Sequence, residues 1–176
     1  INVMIRGAAS CYTGADGTQA LPPMHSGKYE LSGFLGIPQD AYVVSATLGS
    51  QDALKGSFDV MRSSSSSTLE VLVRRGAGVM TGKVVDSQGR IVHDAVVAAI
   101  PDSPAVRPLS ALAYPSDRTD QNGVFEIRGL RPGAYRLYAW SVLDEAALRN
   151  PEFLKKFEWR GSDASVRERE TTSKDL

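Results

Sequence analysis

The chain has 176 residues, with 20 basic and 20 acidic side chains and a formal net charge of zero. This balance gives no field that would attract nucleic acid or an acidic membrane surface, so neither is expected as a partner. The single cysteine, Cys11, excludes an internal disulfide and a cysteine-based zinc site, and no stretch approaches the ~20 apolar residues of a membrane span. We expect Cys11 to be a lone thiol, and we expect no cofactor.

Short apolar or alternating runs, separated by Gly, Pro, Asn, Asp and Ser, predict β-strands along the first 140 residues and one more beyond them. The predicted strands lie near 1–6, 28–34, 41–48, 57–61, 68–74, 78–86, 94–100, 124–128, 134–142 and 164–168. The one helical signal is a turn at 144–149 followed by a short helix at 151–157, where Pro151 suits a first turn capped by Asn150. This pattern is typical of an all-β sandwich.

An internal repeat predicts two tandem modules, 1–74 and 75–176. Gly123, Phe125, Ile127 and Gly129 have counterparts 96 residues earlier at Gly27, Tyr29, Leu31 and Gly33, and Tyr135, Leu137 and Ala139 have counterparts 93 residues earlier at Tyr42, Val44 and Ala46. Both copies are predicted to form a hairpin whose alternate residues face a core. Comparison of the copies leads us to expect that the first module lacks its first strand, that the second lacks its last strand, and that the sequence is a segment of a longer chain.

A serine run, Ser63–Ser67, precedes the last predicted strand of the first module. We therefore expect a hairpin loop there rather than a linker between modules, with O-glycosylation as a further possibility. The junction is expected near Arg74–Gly78, where glycine gives flexibility.

Three stretches of the second module carry a family resemblance: 82–90 (GKVVDSQGR), 119–125 (TDQNGVF) and 129–135 (GLRPGAY). They resemble the carboxypeptidase regulatory-like domain family, whose members are transthyretin-like (prealbumin-type) β-sandwich modules. The resemblance covers about 75–143 well and 27–46 as a weaker echo. It implies two tandem Ig-like or transthyretin-like sandwiches, and a non-catalytic module of a secreted or cell-envelope bacterial protein.

Three oxygen-bearing side chains, Asp117, Asp120 and Asn122, lie within six residues and form a weak candidate calcium site. An EF-hand would also need a bidentate glutamate near the position that Arg128 occupies. A β-turn explains these residues better.

Two further motifs have structural explanations. Lys83 would suit an isopeptide bond, but alternation places Met80, Gly82 and Val84 on the core face and turns Lys83 outward. Trp159–Ser162 superficially resembles the Tyr-Arg-Gly-Ser signature of a same-fold enzyme that hydrolyses 5-hydroxyisourate, yet it is predicted to be a loop. We expect no enzyme activity.

Aromatic side chains on the last predicted hairpin give the best candidate for ligand binding. Alternation turns Tyr135, Leu137 and Ala139 inward and Tyr138 and Trp140 outward. Together with Trp159, the outward pair could form a stacking platform for sugar rings. We favour the alternative that the helix at 144–157 folds back and covers them, since exposed aromatic clusters are uncommon.

The sequence therefore predicts a spacer or assembly module that acts through its sandwich surfaces and edge strands, with a protein partner or self-association through sheet edges. The alternative function is a carbohydrate-binding module that uses Tyr138, Trp140 and Trp159. An extracellular or cell-envelope location is expected from the family resemblance.

Overall fold

The computed structural model describes residues 1–6, 11, 12, 14, 17, 18, 24–61, 68–103 and 114–176. These residues form mostly β-strands, so the predicted all-β class is confirmed. The chain divides into two compact units, built mainly from Ile1–Pro38 with Val43–Val73 and from Gln39–Tyr42 with Arg74–Arg107 and Ala113–Leu176. The expected module bounds, and the missing strand of each module, stay predictions.

The first unit contains small sheets, and the ends of two of its strands, Ala41–Tyr42 and Arg74–Arg75, belong to the second unit. The strands are β1 (Asn2–Ile5), β2 (Cys11–Tyr12), β3 (Gly27–Tyr29), β4 (Leu31–Leu35), β5 (Ala41–Leu48), β6 (Gln51–Asp52), β7 (Phe58–Val60) and β8 (Leu69–Arg75). The sheet orders are β2-β1-β4, β3-β7 and β6-β5-β8. One continuous strand was expected at 28–34, but the chain breaks at Glu30, whose carbonyl accepts the N–H of Arg6 at 2.8 Å.

The core of this unit is small and apolar. Leu31, Ala46 and Phe58 are almost fully buried and pack with Ile5 and Leu48. Burial of side chains from several strands supplies the apolar contacts that hold these short sheets together.

The second unit contains two larger sheets. Its strands are β9 (Gly78–Lys83), β10 (Val96–Pro101), β11 (Ser116–Arg118), β12 (Val124–Leu130), β13 (Gly133–Trp140), β14 (Ser162–Val166) and β15 (Thr171–Ser173). One sheet has the order β11-β10-β13-β14 and the other the order β12-β9-β15. Because β12 and β13 lie in different sheets, as do β4 and β5 in the first unit, the predicted hairpin of each copy is wrong. All pairings in these sheets are antiparallel except that of β9 with β15, which is parallel.

The core of the second unit lies between its two sheets. Met80 and Ile127 belong to the three-stranded sheet, Val97 and Leu137 belong to the four-stranded sheet, and all four pack in one buried cluster. The arrangement is that of a β-sandwich, in which alternate residues of both sheets interdigitate. Tyr135 and Leu137 enter this core as predicted, whereas Ala139 is exposed, so the expectation for Ala139 is wrong.

Two tight turns have the same construction. In the turn from Asp86, the carboxylate Oδ1 accepts the N–H groups of Gln88 (2.9 Å) and Arg90 (3.0 Å). In the turn from Asp120, Oδ1 accepts those of Asn122 and Val124, both at 2.8 Å. Gly89 and Gly123, three residues after each aspartate, have φ of +76° and +72°, as the sequence predicted.

The predicted helical segment is present. A 3₁₀ turn spans Glu145–Arg149, α1 spans Pro151–Lys155, and a second 3₁₀ turn spans Glu158–Arg160. The Asn150 side chain caps α1 by accepting the N–H of Glu152 at 3.0 Å, with Pro151 in the first turn. Within the described ranges, no helix is long and apolar enough to cross a membrane.

Candidate interaction edge

The sheet β12-β9-β15 has two edge strands, and β12 forms the first edge. Val84 donates its N–H to the carbonyl of Gly123 at 2.9 Å, and Phe125 lies opposite Gly82. In an antiparallel ladder this alternation turns the backbone groups of Phe125 toward β9 and those of Val124 and Glu126 away from it. The N–H groups of Val124 and Glu126 are therefore the donors that a further strand would need.

Both of these outward donors are already bonded to carboxylates. Asp120 Oδ1 accepts the N–H of Val124 at 2.8 Å, and Asp117 Oδ2 accepts the N–H of Glu126 at 2.7 Å. The N–H of Val124 is the main cause that lowers the pKa of Asp120 below its ordinary value of 3.8. The first half of the β12 edge is thus blocked by two carboxylates, and we name Val124–Glu126 the blocked edge.

These contacts account for the candidate calcium residues. Asp120 and Asn122 share one turn, where Asn122 donates its backbone N–H to Asp120, whereas Asp117 lies in β11, and both carboxylates accept backbone N–H groups of β12. Among the described residues, no group of three or more His, Cys, Asp or Glu side chains is arranged to hold a metal ion. The turn explanation is the one that the geometry supports.

β15 forms the opposite edge of the same sheet. Val79 donates its N–H to the carbonyl of Glu170 at 2.9 Å, and Lys174 donates to the carbonyl of Thr81 at 2.8 Å. Even-numbered residues of this segment therefore face β9, and Thr171 and Ser173 turn their backbone groups outward. Both residues are exposed, and in the described part of the chain no strand lies beyond β15. We name the outward side of Thr171–Ser173 the open edge.

A glycine of β9 permits the close approach of this segment. Gly82 is buried, and a methyl group at its Cα would collide with the carbonyl oxygen of Lys174. The N–H of Lys83 finds a substitute acceptor in Asp175 Oδ1 at 2.8 Å, and Leu176 donates to the carbonyl of Lys83 at 2.8 Å. The segment is consequently held against β9 by backbone bonds along its length.

Four charges flank the open edge in a regular order. Arg169 and Glu170 precede Thr171, and Lys174 and Asp175 follow Ser173, and all four side chains are exposed. Glu170 also lies 3.6 Å from Arg167, an exposed pair of small energetic value.

The aromatic residues of the outer face do not form a free platform. Tyr138 is buried, with 6 % of its surface exposed, and stacks on Trp140 at a centroid distance of 5.6 Å. Phe153 and Phe157 from the helical segment pack on Trp140 at 6.1 and 5.8 Å. Arg136 ties the segment to β13 by donating to the carbonyl of Glu158 at 2.9 Å. The cover that the sequence favoured is therefore observed for Trp140 and not for Trp159, which is exposed.

Trp159 has a different environment. It is 75 % exposed, and the guanidinium carbon of Arg160 lies 4.6 Å from its ring centroid. A glycan-binding role for Tyr138, Trp140 and Trp159 stays a prediction, although only Trp159 offers an aromatic surface largely open to solvent.

The remaining candidates have simple positions. Lys83 is exposed while Met80, Gly82 and Val84 are buried, as alternation predicted. The backbone of Cys11 lies in β2. Ser63–Ser67, with its predicted loop and glycosylation, lies outside the described residues.

Sequence reasoning did not find the open edge. β15 has the sequence Thr-Thr-Ser, with no apolar residue, so the period-two signal of a half-buried strand is absent. The blocked edge has a detectable signal in the sequence, because Asp117 and Asp120 lie three residues apart, but the N–H groups that they accept depend on strand register.

Comparisons with known proteins add little. No family model and no curated protein matches the chain. The Bacillus anthracis TIE protein is similar in structure, with a TM-score of 0.37 and 13 % identity over 99 % of this chain and 33 % of that one. The chain thus spans about a third of that protein's length, and a likeness this weak indicates neither fold nor function.

Proposed function

We propose that this chain is a non-catalytic structural and assembly segment of a secreted or cell-envelope bacterial protein. It consists of two tandem Ig-like or transthyretin-like β-sandwich modules of the carboxypeptidase regulatory-like type. The modules act as spacers, and a sheet edge of the second one binds a protein strand. This is β-augmentation, in which main-chain hydrogen bonds supply the affinity.

The observation that carries the proposal is the difference between the two edges of one sheet. Carboxylates occupy the outward N–H groups of β12, whereas Thr171 and Ser173 of β15 present theirs to solvent. Edge strands are usually protected when pairing is harmful. An edge left open beside a blocked one is the place where a partner strand would pair.

The contacts of the other candidate residues support a structural role. Asp86 and Asp120 hold turns, and Tyr138 and Trp140 pack beneath the helical segment. The Tyr135 hydroxyl donates to the carbonyl of Arg131 at 2.7 Å, a bond four residues back in the chain that resembles the tyrosine corner of Greek-key sandwiches. These side chains stabilise loops and sheets.

Site-specific photocross-linking tests the proposal in the intact parent protein. A photoreactive phenylalanine analogue at Thr171 should give an adduct with a protein in the cell envelope, identified by mass spectrometry. The same analogue at Glu126, on the blocked edge, is the matched control and should give none. Equal labelling at both positions, or none at Thr171, would contradict the proposal.

A glycan array separates the carbohydrate alternative. A spacer or assembly module should give no signal above background on it. If wild type binds a glycan and Trp159→Ala abolishes that binding, the carbohydrate-binding function replaces the one proposed.

A further inference from the structure

We infer that the strand received by the open edge is β15 of a second copy of this chain, paired antiparallel about a two-fold axis at Thr172. The inference rests on the proposed function, since it names the partner of the same edge. It follows from the sequence of charges around β15, from the direction of its backbone groups and from the blockage of β12.

Backbone parity allows this register. Thr171 and Ser173 turn their N–H and C=O groups outward because Glu170 and Lys174 bond to β9. A two-fold axis at Thr172 places Thr171 opposite Ser173 of the second copy, and Ser173 opposite Thr171. Outward-facing residues thus meet outward-facing residues, which is the requirement for hydrogen-bonded pairs in an antiparallel ladder.

The same register matches opposite charges beside the strand. Glu170 lies opposite Lys174 of the second copy, and both side chains are exposed. The two-fold axis repeats this match, so the interface contains two Glu170–Lys174 pairs. Opposite charges and Thr–Thr or Thr–Ser pairs are favourable cross-strand neighbours.

Blockage of β12 limits growth through this sheet to a dimer. Pairing through β15 joins two sheets into one of six strands in the order β12-β9-β15-β15-β9-β12. Its two outer edges are β12 of each copy, where Asp117 and Asp120 occupy the outward N–H groups. An interface that uses the same patch on both copies closes on itself, and the capped edges prevent growth into a fibre.

Sedimentation equilibrium of the 176-residue chain tests the inference with a charge exchange. Wild type should show a reversible monomer–dimer equilibrium. Glu170→Lys places lysine opposite lysine, and Lys174→Glu places glutamate opposite glutamate, so each should raise the dissociation constant about tenfold or more. An equimolar mixture of the two variants restores both attractive pairs and should dimerise again.

Folding is protected in this design because Glu170 and Lys174 contact β9 through backbone atoms and their side chains are exposed. Melting temperatures of Glu170→Lys and Lys174→Glu equal to that of wild type would verify that both variants fold. Glu126→Lys, the same reversal on the blocked edge, should dimerise as wild type does.

The outcomes separate the inference from the proposed function. A wild-type chain that stays monomeric at about 1 mM, or a mixture that dimerises no better than each variant alone, overturns the second-copy partner. If a different protein is captured at Thr171 in the cross-linking experiment, the assembly function still holds. If nothing is captured there, both are overturned.

Discussion

The two edges of the sheet β12-β9-β15 differ in whether they can pair with a further strand: the β12 edge is blocked and the β15 edge is open. At β12, Asp117 and Asp120 accept the outward N–H groups of Glu126 and Val124 at 2.7 and 2.8 Å. At β15, the outward groups belong to Thr171 and Ser173, and the flanking charges are exposed.

The difference is one of local chemistry. The strands share a neighbour, β9, and differ in whether a nearby turn supplies an acceptor. The turn at Asp120 bonds to the start of β12 because the aspartate of such a turn accepts the N–H four residues later. The turn at Asp86 has the same geometry, yet its acceptor serves Arg90. Protection of the Val124 N–H therefore arises from a turn motif placed directly before the edge strand, and protection of the Glu126 N–H arises from Asp117 in β11.

The largest expected effect comes from a side chain at Gly82, where the segment that follows β15 and the ring of Phe125 both lie close. Gly82→Val should destabilise the second unit by about 3 kcal/mol, since its side chain would collide with the Lys174 carbonyl and overpack a buried position. Urea denaturation would measure the loss, and hydrogen exchange should show that Thr172 and Lys174 lose protection.

Gly56→Ala is the matched control for this change, because its methyl group would meet no neighbouring atom. It should leave stability nearly unchanged. If the two substitutions lower the free energy of unfolding equally, the close approach of the chain to Gly82 is not the reason that glycine is needed there.

Removal of both carboxylates from the β12 edge should make the two edges alike. Asp117→Ala with Asp120→Ala exposes the N–H groups of Glu126 and Val124, so we expect a melting temperature lower by a few degrees and species larger than a dimer. Light scattering during size-exclusion chromatography would detect them. Asp117→Asn with Asp120→Asn keeps an acceptor oxygen at each site and should associate far less; equal behaviour of both double variants would contradict the blocking role.

Acidification should also lower the stability of the folded chain, by less than removal of the carboxylates does. The N–H of Val124 is the main cause of the lowered pKa of Asp120, and that of Arg90 is the main cause for Asp86. A lowered folded-state pKa contributes stability that is complete above the ordinary value of 3.8 and is lost as pH falls through the folded pKa. Wild type should therefore lose stability below about pH 4.

Thermal melts from pH 6 to pH 2 would measure this loss. The double variant Asp86→Asn with Asp120→Asn cannot titrate at these positions, so its melting temperature should fall less steeply over the same range. Identical slopes for wild type and variant would show that these two turns do not supply the acid sensitivity.

The sequence predicted the parts of the fold that have an apolar period. Strands β5, β10 and β13 alternate or run continuously in Val, Ala, Leu and Tyr, and the cap Asn150-Pro151 fixed the start of α1. The turns at Asp86 and Asp120 were predictable because glycine follows three residues later.

The interaction edge was not predictable in the same way. Strands β2, β6, β11 and β15 are two or three residues long, and β11 and β15 contain no apolar residue. They form because a neighbouring strand offers hydrogen bonds, and which residues lie opposite that strand depends on the tertiary fold rather than on the local sequence. Tyr138 illustrates the same limit: alternation predicts that it faces outward, but it is buried between Trp140 and the backbone at Gly161.

Residue-resolved amide exchange in dilute monomer tests the difference between the edges most directly. On the open edge, the amides of Thr171 and Ser173 should exchange rapidly, whereas those of Thr172 and Lys174, which face β9, should exchange slowly. On the other edge, the amides of Val124 and Glu126 should be protected by the carboxylates that accept them. Protection of Thr171 and Ser173 equal to that of Thr172, or rapid exchange at both Val124 and Glu126, would contradict an open edge opposite a blocked one.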